Sequence, residues 1–362
     1  MTVLISKDAV REPLYVIVPV FNPWRWKTRF KHAERAIKHF IDSGVVVYLV
    51  EIAFNRREFV FADSGIDGFA ANCGVLGSDH NFRHRYIPLR TKDELWLKEN
   101  AINVGVQHLP PDWQQVAWLD GDIHFVRPNW AGECIQKLQH YAFLQMFSHA
   151  RDVGPNYELL PANYPHADGI GFVRAFTQGV LGKPAQVPTG NPEQSTYGYG
   201  AGRMWPGLAW ACTRQAWDAV GGLPDFHIWG GGDFVMGHAL VGMHKEMMRN
   251  DLHPNYRKLA YAWYESCERH IRRNVGMMDG TVLHHFHGRK SARGYASKHS
   301  LLAQIGFDPI RHLKRDYQGL WQLNDLGEDS HIKLRDTMRV IAKERNEDSP
   351  ETGLAEDSNQ GH

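Results

Sequence analysis

Apolar residues in this 362-residue chain gather into short unbroken runs separated by stretches of helical period. Leu14–Val20 (LYVIVPV) is a β-branched run closed by Asn22-Pro23, the form of a strand buried on both faces. Over Thr28–Ser43 the apolar positions Phe30, Ala33, Ile37, Phe40 and Ile41 repeat at helical spacing, and Gly44 stops them. Val45–Phe54 is a second buried strand. Glu94–Leu109 predicts a helix that starts from Thr91 and ends at Pro110-Pro111, and Val116–Leu119 a short strand running straight into Asp120. A helix near Trp130–Tyr141 then leads to a strand over Ala142–Phe147. Strands alternating with helices predict an α/β fold, a mostly parallel sheet covered by helices on both faces. Ligands of such sheets sit at the carboxyl ends of the strands.

From Ala150 to Pro206 the pattern dissolves into Gly, Pro, Asn and Tyr, which reads as an irregular insertion, a lid or a binding loop. Order returns with Gly207–Cys212 and a helix over Thr213–Val220. The turn Gly230-Gly231-Gly232 opens a helix at Asp233, and Thr281–Phe286 is a strand, with a helix near Ser297–Ile305 after it. From Glu347 onward the chain has five acids, no bases and almost no hydrophobes, the composition of a disordered tail. The chain thus divides into 1–149 and 207–300 as two halves of one domain, 150–206 as the insertion, 301–346 as a C-terminal helical extension and 347–362 as the tail.

Charge and composition narrow the function. With 41 Lys+Arg against 40 Asp+Glu the net charge is +1, which argues against gripping nucleic acid or acidic membrane by bulk charge. Without the five tail acids the balance is 41 against 35, a mildly basic body, so a polyanionic partner stays open. Four Cys without a C-x-x-C pair exclude a thiolate zinc site and a disulfide scaffold. Met1–Arg11 lacks the form of a signal peptide and no run of about 18 apolar residues occurs, so the expectation is a cytoplasmic protein with no membrane span. There is no P-loop, no dinucleotide fingerprint, no H-E-x-x-H and no G-x-S-x-G elbow.

The strongest chemical signal is Asp120-Gly121-Asp122 at the end of an apolar strand. Carboxylates at i and i+2 of extended chain point to one side, and Gly121 lets backbone and ligand approach closely. Such a pair suits a hard divalent cation that also bridges substrate phosphates. A polar turn is the plain alternative, since Asp and Gly favour turns.

A D-x-D in this position resembles the nucleotide-sugar-dependent glycosyltransferases of GT-A fold, and the likeness extends over roughly residues 14–295. Trp229-Gly230-Gly231-Gly232-Asp233 is similar to the W-G-G-E-D segment of inverting β-galactosyltransferases and N-acetylgalactosaminyltransferases. Gly232 stands where many relatives have Glu, which leaves Asp233 as the one carboxylate of the pair. The resemblance implies Asp233 as general base and Trp205, Gly207, Trp229, Gly231 and Gly232 on the acceptor side. His287-Gly288-Arg289 resembles the metal-binding H-S-R of β-1,4-galactosyltransferases. His285-Phe286-His287-Gly288 resembles the H-F-x-G of glycogenin-like enzymes, in which the first His is the ligand. Period-two geometry puts His285 and His287 on one face of a strand, so either reaches the ion, with His287 favoured.

The implied metal is Mn²⁺ or Mg²⁺ on Asp122 and His287, with Asp120 on the ion or the ribose. Arg289, Lys290 and Arg293 are implied to hold the diphosphate. Pro19, Asn22, Glu51, Lys98, Asn100, Asn103 and Gly121 are implied to border the donor, most simply a UDP-sugar. The run Phe307-Asp308-Pro309 through Gly319-Leu320-Trp321 resembles phage and bacterial glycosyltransferases. The implied activity is inverting transfer to a hydroxyl of a glycan, a protein, a small molecule or modified DNA. Two rivals use the same residues differently: a metal-dependent phosphoester hydrolase built on Asp120, Asp122 and the histidines, and a catalytically silent glycan-binding protein.

Overall fold

The computed structural model describes residues 13–62, 85–160, 168–181, 204–243, 249–288, 302–326, 329–344 and 346–348. The first apolar run forms β1 (Tyr15–Phe21), buried along its whole length. Its alternate residues feed two cores, Tyr15, Ile17 and Phe21 on one face and Val16, Val18 and Val20 on the other. That is why a continuous apolar run, rather than an alternating one, codes for it. Next come α1 (Lys27–Asp42), β2 (Val46–Phe54), β3 (Arg85–Thr91), α2 (Lys98–Gln107), β4 (Gln115–Leu119), β5 (Ile123–Phe125), α3 (Trp130–Lys137) and β6 (Phe143–Gln145). After them run β7 (His149–Asp152), β8 (Asp168–Gly171), α4 (Phe172–Thr177), β9 (Met204–Trp205), β10 (Ala209–Thr213) and α5 (Arg214–Val220). The last large elements are α6 (Gly232–Leu240), α7 (Pro254–His270), β11 (Val275–Met277) and β12 (Thr281–His284).

The main sheet has seven strands in the order β11-β6-β10-β4-β1-β2-β3. The ladders β1–β2, β2–β3, β1–β4 and β11–β6 are parallel, and β10 runs antiparallel between β4 and β6. Buried residues of α2, α5, α6 and α7 fill one face and those of α1 and α3 the other, so the expected mostly parallel α/β sheet is present. A second sheet, β5-β12-β7-β8-β9, lies beyond the carboxyl end of β4.

Several elements differ from expectation for physical reasons. The segment 150–206 is not wholly irregular: β7, β8, α4 and β9 lie in or overlap it, while 161–167 and 182–203 are outside the described residues. Its strands are two to four residues long, too short to show a period. The helix expected from Thr91 starts only after Leu97, without a side-chain cap. Strand β12 ends at His284, two residues early. A 17-residue helix, α7, was not anticipated; Pro254 opens it, and Tyr256, Ala260, Trp263 and Cys267 form its buried stripe.

Beyond α7 a short helix, Pro309–His312, leads into the hairpin of β13 (Leu313–Arg315) and β14 (Trp321–Leu323), and the helix Asp329–Glu344 follows. The chain then returns to α1. Asp348 accepts hydrogen bonds from the backbone N–H of Lys27 and Thr28 at 2.9 and 2.8 Å, and Glu347 pairs with Arg29. The start of the acidic tail is therefore docked, with 349–362 outside the described residues. The reason lies in α1. Its first turn carries Lys27 and Arg29, with no acid and no side-chain cap, so its open N–H groups and positive dipole end call for an anion. No helix among the described residues is long and apolar enough to cross a membrane.

Candidate active site

Asp120-Gly121-Asp122 follows the carboxyl end of β4 and links the main sheet to β5 of the second sheet. Gly121 is packed against α1, and a Cβ there would stand 3.2 Å from that of Ala33. Asp122 meets two histidines from the end of β12, His284 and His287, and one ligand atom from each residue lies within 4.8 Å of the others. His287 Nε2 is 3.2 Å from Asp122 Oδ2, and the Nε2 atoms of the two histidines are 3.1 Å apart. His284 Nδ1 donates to Asp152 Oδ1 at 2.6 Å, which fixes its tautomer and turns the Nε2 lone pair inward. Asp122 Oδ1 is buried without a hydrogen-bond partner. Burial alone disfavours its charge, yet His287 and His284, with Arg29 and His32, hold the Asp122 carboxyl well below the usual carboxylate range. Ring nitrogens facing each other and an orphaned carboxylate oxygen are what a divalent cation would satisfy.

His285 is not part of this group. Because β12 stops at His284, the period-two pairing of His285 with His287 fails, and the turn brings i and i+3 together instead. His285 stacks on His32 with 5.3 Å between ring centroids, and burial pushes its imidazole down to about 4. Asp120 also stands apart from the group. Its Oδ1 is 2.6 Å from Lys98 Nζ, and burial and Asp122 push its carboxyl up against the pull of Lys98.

Lys98 leads into a second cluster. A small cavity is lined by Lys98, Glu99, Trp118, Gly207, Trp210 and Asp233, among others. Gly207 lies directly against the Asp233 carboxylate, with no room for a side chain. A Cβ on Gly232 would stand 2.5 Å from Glu99 Oε1. Burial tends to lower the Lys98 ammonium, but Asp120, Asp233 and Glu99 outweigh it and raise its pKa. Glu99 is pushed up to about 8, mainly by burial, with Asp233 and Asp120 adding to the rise and Lys98 opposing it. The segment 205–208 joins the two clusters. The Trp205 ring packs edge-on against His284 with centroids 5.0 Å apart, and two residues on Gly207 faces Asp233.

The other expected site residues are placed as follows. Pro19 sits within β1 beside Val50. Asn22 closes its own loop through Trp26, accepting from its N–H and donating to its carbonyl. Glu51 accepts from the N–H groups of Val60 and Phe61 and from the Tyr86 hydroxyl. Asn100 and Asn103 both donate to Asp225, which also takes Arg315 and Trp321 Nε1. Trp229 is buried in the core, while Gly231, at φ +84°, is the left-handed residue that starts α6. Arg289, Lys290 and Arg293 lie outside the described residues. Three groups escaped the sequence reading: His284, which shares the quoted histidine run; Glu99, adjacent to Lys98; and Asp152, which no motif marks.

The chain matches no protein-family model and no curated protein. Among solved structures, it is similar to the catalytic domain of Drosophila beta1,4-galactosyltransferase 7 in complex with xylobiose, at 13% identity and a TM-score of 0.30. That match covers 63% of this chain and 60% of the other, so this chain spans less than two thirds of it. It is also similar to a Desulfovibrio desulfuricans G20 protein named for nucleotide-diphospho-sugar transfer, at 10% identity, 91% and 97% coverage and a TM-score of 0.33. A third is S. aureus TarS 1-349, at 11% identity, 72% and 73% coverage and a TM-score of 0.24.

Proposed function

We propose that this protein is a metal-dependent glycosyltransferase of GT-A type that moves a sugar from a nucleoside-diphosphate sugar, most simply a UDP-sugar, to an acceptor hydroxyl. The observation that carries this reading is the adjacency of the Asp122/His284/His287 group and the Asp233 cavity, joined by the four residues 205–208. One cluster suits a cation that holds phosphates and the other a group that takes a proton, which are the two ends of a displacement at an anomeric carbon.

Asp122, His284 and His287 would hold the ion, and two imidazoles favour Mn²⁺ over Mg²⁺, which prefers oxygen and water ligands. Bound there, the metal supplies charge neutralisation for the leaving diphosphate. Asp152 keeps His284 turned for that task. Asp233 takes the proton of the acceptor hydroxyl as its oxygen bonds to the anomeric carbon and the bond to the diphosphate oxygen breaks, a single displacement with inversion. Lys98 holds Asp120 in place beside Asp122. Trp205, against His284, borders the sugar between the clusters.

Nucleoside-diphosphate release is the test, measured with UDP-sugars and a panel of glycoside acceptors, with and without Mn²⁺. Release that needs Mn²⁺, that acceptors accelerate and that Asp122→Ala abolishes is the expected result. Metal-independent release, or hydrolysis of simple phosphoesters in place of transfer, would remove the proposal.

A further inference from the structure

Two carboxyl groups, not one, face the cavity next to the metal group. Asp233 comes from the first turn of α6 and Glu99 from the first turn of α2, and both line the same space. Each is met by a glycine. Gly207 abuts Asp233, and Gly232 leaves room for Glu99, whose Oε1 is 2.5 Å from the place a Cβ would take. The groups that bear on Glu99 come from every side: Lys98 on α2, Asp120 after β4, Asp233 on α6 and Tyr256 on α7. Among the described residues of this cluster, one ammonium, Lys98, faces three carboxyls, and its Nζ is committed to Asp120 at 2.6 Å. That leaves Asp233 and Glu99 without a cation of their own. Asp233 is half-buried and accepts from the Phe234 N–H, whereas Glu99 is buried. Glu99 is therefore the one that keeps its proton, because an unpaired buried carboxylate is costly. Glu99 is 5% exposed, and burial raises it to about 8.

From this geometry we infer that Glu99 is a second acceptor-binding residue, holding a hydroxyl next to the one that Asp233 deprotonates, so that the site selects vicinal diols over isolated alcohols. The inference rests on the transferase reading. A neutral carboxyl donates its O–H to one hydroxyl oxygen while the Asp233 carboxylate accepts from the other. A site built to hydrogen-bond a hydroxyl rejects the analogue that lacks it, since its own polar group is then left unpaired.

The test compares trans-1,2-cyclohexanediol with cyclohexanol as acceptors, using whichever of UDP-glucose and UDP-galactose releases UDP most rapidly with Mn²⁺. UDP release to water serves as the internal reference. Wild type should prefer the diol by at least about tenfold in kcat/KM. In Glu99→Leu that preference should fall to within about twofold. Glu99→Gln, whose amide still donates, should keep it but lose the decline of kcat/KM around pH 8 that a neutral Glu99 imposes. A parallel measurement needs no turnover: Tm should fall more steeply between pH 5 and 8 in wild type than in Glu99→Gln. UDP release with an unchanged diol preference in Glu99→Leu would overturn this role alone, as would superimposable pH–Tm curves. No UDP release in wild type would overturn the transferase reading and this role with it.

Discussion

His284 and His285 are neighbours in sequence with unrelated environments. One is held by Asp152 with its second nitrogen turned to Asp122, and the other stacks on His32. The consequence is a sharp pair of outcomes. His284→Ala should weaken Mn²⁺ binding by at least about tenfold in a calorimetric titration, whereas His285→Ala should leave it within twofold. Asp152→Asn should cost roughly 10–100-fold in affinity, because the amide no longer fixes the His284 tautomer. The sequence brought attention to this histidine run, yet the choice within it depended on where β12 stops. That endpoint is tertiary: His32 Nε2 donates to the Phe286 carbonyl at 2.7 Å, and Gly288 turns the chain at φ +84°. Glu99 was illegible for a similar reason. Its partners Gly232 and Asp233 arrive from more than 130 residues downstream, and nothing in Lys98-Glu99-Asn100 foretells them.

At the scale of elements, β1, β2 and β4 were legible because burial on both faces leaves nothing polar to interrupt the apolar run. Strand β3 was not, since Arg85, Pro88 and Arg90 break its pattern at the edge of the sheet. The buried stripe of α7 does carry a helical period, but polar residues outnumber it along the helix and mask it. The glycines that start α6 offer a contrast worth measuring. Gly232 has ordinary helical φ, but an added methyl meets the buried Glu99 side chain, with Cδ and Oε1 at 2.5 Å. Gly232→Ala should therefore displace that carboxyl, cost about 1–3 kcal/mol of stability and reduce transfer. Gly231, at φ +84°, should lose about 1 kcal/mol on the same substitution. Asp225 ties α2 to the β13–β14 hairpin through Asn100, Asn103, Arg315 and Trp321. Asp225→Ala removes an acceptor these donors share, and with Arg315 nearly half exposed it should destabilise the fold by about 1–3 kcal/mol in chemical denaturation.

For the molecule as a whole, the proposed cation would join the two sheets, since Asp122 follows β4 of the main sheet and His284 ends β12 of the second. A ligand that binds only the folded chain stabilises it, by about 2.7 kcal/mol at a hundredfold excess over Kd. Mn²⁺ should therefore raise Tm in wild type and not in Asp122→Ala, and a chelator should reverse the rise. The pH response carries a definite sign. The folded chain holds the Glu99 proton more tightly, with a pKa of about 8 against an ordinary 4.5, so it binds more protons than the unfolded chain between those values. That group's contribution is fully present at lower pH and is lost as pH rises through about 8. Equilibrium unfolding across that range should show stability falling with pH, and Glu99→Gln should flatten the curve.

The docking of Asp348 on α1 has a consequence in time. The backbone N–H of Lys27 and the carboxylate that receives it are separated by 321 residues of chain. At synthesis rates of roughly 5–20 residues per second, one of the first helices to form waits about 15 s to a minute for its last partner. Until then its basic first turn lacks that carboxylate. Asp348 thus completes an element that emerged 321 residues earlier.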